Sequence, residues 1–189
     1  AVGDIGELVW DDMIAGRLVI IDLSQGNGTV VKTLSERVVT TLLNHARDDF
    51  AEGKKPKPFQ IVVEEAHNLF ERGGKEVAGN PWVRLSKEAA KYKIGLLYAT
   101  QEVSSVDQRI LSNTSNWLVA HLNSDKETGE LSHYCDFKTW ADSIRRVEDQ
   151  GLVRMKTYSG KYIVPVQVAK FDHAMINAAR VAAGLQPVE

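Results

Sequence analysis

Short, continuous apolar runs alternate with helix-period stretches over the first two thirds of the chain. Residues 17–22 (RLVIID), 59–64 (FQIVVE) and 94–100 (IGLLYAT) are too short for buried helices, and each gives way to polar residues. Such runs predict parallel strands buried on both faces. Between the first two, apolar residues recur at helical spacing from about Val30 to Ala51 (Val31, Leu34, Val38, Leu42, Ala46), until 53–58 (GKKPKP) breaks the helix. A second helix is expected before residue 94, with Asn80 as N-cap and Pro81 in its first turn. Strand, helix, strand, helix, strand implies right-handed crossovers and a parallel sheet.

A fourth strand is expected at 117–122 (WLVAHL), after a short helix around 106–111. Beyond a helical stretch at 138–147, residues 151–169 read as two strands joined at Ser159-Gly160, a hairpin signal and hence an antiparallel edge. An amphipathic helix over 172–183 ends at Gly184, and the chain contains no internal repeat or low-complexity tract. The expectation is one α/β domain over 1–189, with core elements at about 17–123 and helices and a hairpin over 124–189.

Composition narrows the classes without naming one. With 189 residues, 43% apolar and 25% charged, the chain can bury roughly 70% of its unfolded surface. Its 23 Lys plus Arg against 25 Asp plus Glu leave a formal charge of −2, so any nucleic-acid surface must be local. The single cysteine, Cys135, excludes an internal disulfide framework and a Cys-rich metal site. No apolar run approaches the roughly 18–20 residues of a membrane span, and the first residues do not resemble a signal peptide. A cytoplasmic chain that engages no membrane is expected. It begins with Ala and little lead-in to its first expected strand, which suggests a piece of something longer.

Ligands of open parallel sheets sit outside the carboxyl ends of the strands. The second strand runs into 64–68 (EEAHN). Neighbouring strand residues face opposite ways, so Glu64 and Glu65 are not a glycosidase-like pair. They divide labour if the chain turns there: the acid at the tip supports Mg²⁺, and the next orients a water attacking a phosphoryl group, as in the Walker B arrangement of P-loop ATPases. The alternative is a pair of acids capping the following helix. The third strand ends at Thr100-Gln101, where an uncharged amide can bond both a phosphate oxygen and the attacking water.

The order of 20–24 (IIDLS), 61–69 (IVVEEAHNL), 87–101 (KEAAKYKIGLLYATQ) and 110–123 (ILSNTSNWLVAHLN) resembles HerA-type ATPases of the FtsK-HerA superfamily, well over 17–123 and more weakly to about 170. The resemblance implies a RecA-like core, usually hexameric, that hydrolyses ATP with Mg²⁺ at subunit interfaces and drives double-stranded DNA through a channel, often beside a nuclease. It makes Glu65 the catalytic glutamate, Glu64 the Mg²⁺-supporting acid and Gln101 the polar sensor. Two departures stand out. No G-x-x-x-x-G-K-[ST] occurs in the chain, so the chain is expected to be the C-terminal part of the motor, without the phosphate-cradling loop and inactive on its own. Where the family carries Gly-Arg-Lys before the glutamine strand, this chain has Ala89, Ala90 and Lys91. A trans-acting or DNA-contacting cation would then come from Arg84, Lys87, Lys91 or Arg109, the first three spaced along one helix face.

Two other readings accompany this one. The chain can be an assembly or docking module that keeps the acids as relics, or a metal-dependent hydrolase using Glu64, Glu65 and His67. His121, His133 and Cys135 lack a fourth ligand at zinc-site spacing. In the hairpin, alternation puts Arg154 and Lys156 on one face, with Lys161 beyond and Arg145 and Arg146 before. These suit either DNA phosphates or a charged edge strand. The four Trp residues are dispersed, which gives no base-stacking platform.

Overall fold

A computed structural model describes residues 4–73 and 79–188. The chain gathers into two compact units, 1–114 and 115–189.

The first unit opens on a helix that the apolar runs did not announce. α1 (Ile5–Ile14) starts where the Asp4 carboxylate accepts the Gly6 N–H at 2.9 Å, and it lies along α2 (Gly28–Ala51), which Asn27 caps through the Val30 N–H. The two helices meet closely: a Cβ on Gly6 would sit 2.7 Å from Thr41 Cβ. Trp10 stacks on His45 with ring centroids 4.9 Å apart. The strand expected at 17–22 is not formed. No ladder joins this run to any described strand, and Leu18 and Ile20 are 89% and 82% exposed. An extended apolar run becomes a strand only when a neighbour takes up its N–H and C=O groups.

β1 (Phe59–Val63) and β2 (Ile94–Tyr98) pair in parallel, from Phe59 opposite Ile94 to Val63 opposite Tyr98. α3 (Pro81–Glu88) connects them and begins as expected: Asn80 Oδ1 accepts the N–H groups of Trp82 and Val83 at 2.9 and 3.3 Å. It then tightens into a 3₁₀ turn, Ala89–Tyr92, which Lys93 leaves in a left-handed conformation at φ 60°. The short α4 (Gln108–Leu111) follows β2. The core joins Val39, Leu42 and Leu43 of α2 to Trp82, Leu85 and Phe70. On the sheet's other face Val62 and Leu97, opposite each other in register, stay exposed.

In the second unit β4 (Leu152–Lys156) lies between β3 (Trp117–Val119) and β5 (Val164–Gln167), all antiparallel. The strand expected at 117–122 is therefore three residues long and belongs to the hairpin's sheet, because β4 takes up its ladder groups. α5 (Asp125–Leu131) and α6 (Ala141–Arg146) pack on this sheet's unit, whose core holds Trp117, Val119, Leu131, Phe137 and Ile144. α5 was not expected from its polar sequence, although Ser124 caps it through the Glu127 N–H. α7 (His173–Ala182) has no buried residue and ends at Gly184, φ 73°.

Arg154 is not the exposed hairpin cation that alternation suggested. It is 1% exposed, and its Nη2 donates to the Ser143 carbonyl at 2.8 Å and to the Ser143 hydroxyl. Nε and Nη1 find no partner among the described residues.

Candidate functional site

The geometry at the tip of β1 is set by one residue. Glu64 is exposed just past Val63, and Glu65 adopts φ 46°, ψ 49°, a left-handed conformation that costs a side-chain-bearing residue about 1–2 kcal/mol. The chain thereby leaves the strand at Glu65 and enters a 3₁₀ turn, Ala66–Asn68. The turn is pinned from both sides. Ala66 is fully buried, its N–H donates to the Ala99 carbonyl at 2.9 Å, and Ala99 N–H donates back to Val63 at 2.9 Å.

This turn brings the two strand ends into contact. Gln101 Nε2 donates to Glu65 Oε1 at 3.3 Å. On the other carboxylate oxygen, His67 Nδ1 stands 3.5 Å from Glu65 Oε2 and 3.1 Å from Thr100 Oγ1. The same Thr100 hydroxyl accepts the Glu102 N–H at 3.1 Å. One carboxylate, one amide, one imidazole and one hydroxyl from two adjacent strands thus form a single hydrogen-bonded group. Glu65 and Gln101 remain exposed while His67 is half-buried.

The loops behind this group are clipped together. Phe70 O accepts the Asp107 N–H at 2.7 Å, Ser105 O accepts the Arg72 N–H at 3.0 Å, and Ser104 O accepts Arg72 Nη1 at 3.0 Å. Glu71 and Val106 form an isolated antiparallel bridge, and Lys32 of α2 reaches Glu71 at 2.7 Å. Asp107 is the buried polar centre of this clip. Its Oδ1 accepts the Arg109 N–H at 2.8 Å, capping α4, and Arg109 Nε at 2.9 Å, while Oδ2 accepts Nη2. The guanidinium holds the Asp107 carboxyl below the usual carboxylate range and is itself raised by it.

Of the basic residues singled out from sequence, the structure brings two together. Lys87 and Arg109 line one open depression of about 390 Å³ with Gln108, Ser112 and Asn113. Arg84 is half-buried on α3. Lys91 lies beyond the end of α3, in the 3₁₀ turn, so it does not continue that helix's face. Its ammonium is 3.6 Å from Glu88 and lies over the Tyr92 ring, 4.9 Å from the centroid. Thr100 and Asp107 were not singled out. Thr100 is visible only once β1 and β2 are side by side, whereas Asp107 carried a signal, an acid just before a short apolar helix.

An exposed carboxylate beside an amide donor can orient a water molecule, and a second exposed acid at the tip can meet a hydrated cation. No group of three or more His, Cys, Asp or Glu arranged for a metal ion occurs among the described residues. Glu64 therefore fits Mg²⁺ only as one contact to an ion otherwise held by water and phosphate oxygens, the usual habit of that ion.

No protein-family model matches the chain. Over 123 residues it is 24% identical to the DNA double-strand break repair helicase HerA of Sulfurisphaera tokodaii, covering 63% of this chain and 25% of that protein. It is 24% identical over 132 residues to the helicase of the same name from Sulfolobus acidocaldarius, covering 66% and 27%. The chain thus spans about a quarter of these relatives' length. In fold it is similar to the genome packaging NTPase B204 of Sulfolobus turreted icosahedral virus 2. The form with ATP-gammaS gives a TM-score of 0.62 at 13% identity, over 85% of this chain and 72% of that one, and the form with AMPPCP gives 0.62 over 86% and 72%. The mixed α/β architecture is accordingly that of P-loop NTPases. In sequence the chain is thus similar to HerA helicases over about two thirds of its length, and in fold to a genome packaging NTPase.

Proposed function

We propose that this chain is the part of a HerA-type, ATP-driven DNA translocase that supplies the water-orienting and sensing side of the nucleotide site. The observation that carries the reading is the 3.3 Å bond from Gln101 to Glu65 between adjacent parallel strand ends, with Glu65 turned out of its strand by a left-handed backbone. In this reading Glu65 orients the attacking water and accepts its proton, and Gln101 reports the state of the γ-phosphate by switching its bond from Glu65 to a phosphate oxygen. Mg²⁺, when bound, neutralises charge on the phosphates, with Glu64 as its protein contact through water. The phosphate-cradling loop has no counterpart among these 189 residues and belongs to another part of the working protein, so the isolated chain binds ATP weakly and does not turn it over.

Likeness to DNA double-strand break repair helicases and a genome packaging NTPase supports DNA, here proposed to be double-stranded, as substrate; the homo-hexameric ring and nuclease partner proposed with it are what the HerA-type sequence resemblance implies. No described helix is long and apolar enough to cross a membrane, and the cytoplasm is the compartment proposed. Lys87 and Arg109 are the pair best placed to meet phosphate, of DNA or of a neighbouring subunit's nucleotide, because they share one open depression. A second reading, a docking module that retains the acids without turnover, draws on the absent G-x-x-x-x-G-K-[ST]. DNA-stimulated ATP hydrolysis by the full-length protein separates them. Glu65→Gln should abolish turnover while ATP binding persists. Absence of turnover in the wild type, with and without DNA, selects the docking reading.

A further inference from the structure

The tip of the β4–β5 hairpin is built more firmly than a connecting loop requires. Lys156 Nζ donates to the Thr157 and Gly160 carbonyls at 2.9 and 2.7 Å, drawing the two sides of the turn together. Gly160 N–H donates to Thr157 Oγ1 at 3.0 Å, and a Cβ on Gly160 would lie 2.7 Å from that oxygen, so a larger residue there would have to displace the hydroxyl. From outside the loop, Asn116 Oδ1 accepts the Tyr158 N–H at 2.9 Å. What this braced loop presents is aromatic: Tyr158 is 84% exposed and Tyr162 71%. Lys161 stands between them in sequence, its ammonium 5.5 Å from the Tyr162 ring centroid.

Two exposed rings on a braced loop are a preformed stacking surface, because rigidity lowers the ordering cost of binding. Charge identifies the class of ligand. Residues 151–171 contain no Asp or Glu, in a chain with 25 acidic residues and a net charge of −2; Arg154 is buried and Lys156 braces the turn, so the exposed charge of the segment is that of Lys161 and Lys170. The segment is the reverse of the rest of the chain and favours a polyanion. A polyanion with flat apolar faces is a nucleic acid, and the faces are free only where bases are unpaired.

We propose that the β4–β5 hairpin tip binds single-stranded nucleic acid, with Tyr158 and Tyr162 stacking on bases and Lys161 pairing with phosphate. The site lies outside the strand-tip group, and it rests on the proposed translocase only for the presence of DNA. The platform is tyrosine, which the scattered tryptophans gave no reason to expect.

The test is fluorescence anisotropy of the chain with labelled (dT)20 and with a 20-base-pair duplex, without nucleotide. The variants are Tyr158→Ala/Tyr162→Ala, Tyr158→Phe/Tyr162→Phe and Lys161→Glu. The alanine double variant should weaken (dT)20 binding by at least about tenfold, two stacking contacts being lost. The phenylalanine double variant should bind within about twofold of wild type, and duplex binding should change little. Quenching of tyrosine fluorescence on adding (dT)20 reports stacking directly. Because both rings are exposed, the variants fold, which circular dichroism verifies. Wild-type affinity in the alanine double variant, equal loss on duplex and single strand, or competition by poly-glutamate as effective as by (dT)20 each overturns the proposal. If Lys87→Glu/Arg109→Glu alone abolishes binding while the tyrosine variants bind normally, the hairpin site fails and the DNA reading stands. Failure of Glu65→Gln to affect turnover overturns the hydrolysis assignment and leaves this site untouched.

Discussion

Asp107 is the residue through which the strand-tip group is most easily loosened without touching it. Asp107→Ala removes three interactions: the α4 cap, worth about 1 kcal/mol, and two charge-assisted bonds to the Arg109 guanidinium, together worth about 1.5–3 kcal/mol. The Arg109 side chain is 26% exposed, so the released guanidinium regains water and no buried charge is stranded. The net loss is then about 3 kcal/mol. Because the Asp107 N–H also holds Phe70 O, the loosening reaches both loops that leave the strand tips. Hydrogen exchange followed by mass spectrometry localises it. Peptides covering 59–72 and 94–114 should exchange roughly a hundredfold faster, while peptides covering 117–167 stay unchanged. Asp107→Asn keeps a capping oxygen but not the charge, and should show about half the effect. Unchanged protection in the 59–72 peptide would refute the clip.

The same pair fixes a pH dependence. The folded carboxyl of Asp107 titrates below its unfolded value because Arg109 bonds its charged form. Its contribution is therefore complete above the unfolded value near 4 and is lost as pH falls through the depressed folded one. The wild-type advantage over Asp107→Asn should be constant from about pH 5 to 8 and shrink below about pH 4.

Three further comparisons test separate parts of the structure. Glu65→Gly should melt higher than Glu65→Ala, by about 1 kcal/mol in stability, because only glycine is unstrained at φ 46°; equal melting temperatures would refute the left-handed backbone. Gly6→Ala should cost about 1–3 kcal/mol through the clash with Thr41, whereas Gly28→Ala, with nothing within 4 Å, should be neutral in the same melt. Arg154→Met should raise the melting temperature of residues 115–189, because a buried guanidinium with two unpartnered nitrogens costs more than a thioether of similar length; a lower melting temperature would show that the Ser143 bonds outweigh that cost.

The elements legible in the sequence are those whose stabilising partners lie a few residues away. Asn80 followed by Pro81 starts α3 because the cap closes within three residues. Ser159-Gly160 turns the hairpin because its hydrogen bonds close within the turn. The carboxylate and the amide were legible as strand-tip chemistry for the same reason, each following directly on an apolar run. α1 and α5 carried comparable local signals in Asp4 and Ser124, but mixed polar sequences hid them: α5 buries only Thr128 and Leu131. Thr100 and His67 became partners only through the register of β1 on β2, which no local pattern encodes.

Residues 17–22 and Arg154 mark the opposite limit. An apolar run states what a segment can bury, and alternation states which way side chains point once a strand exists; neither states what is opposite. Leu18 and Ile20 have the composition of a buried strand and stand exposed because no ladder among the described residues receives them. Arg154 alternates as a surface residue would and is buried because α6 brings Ser143 over it. Pairing decides both. The strand-tip group depends on pairing too, but there it is secured twice, by the β1–β2 ladder and by the Phe70–Asp107 clip. A strained Glu65 persists because its surroundings over-determine it, and its carboxylate is held beside Gln101 before any ligand arrives.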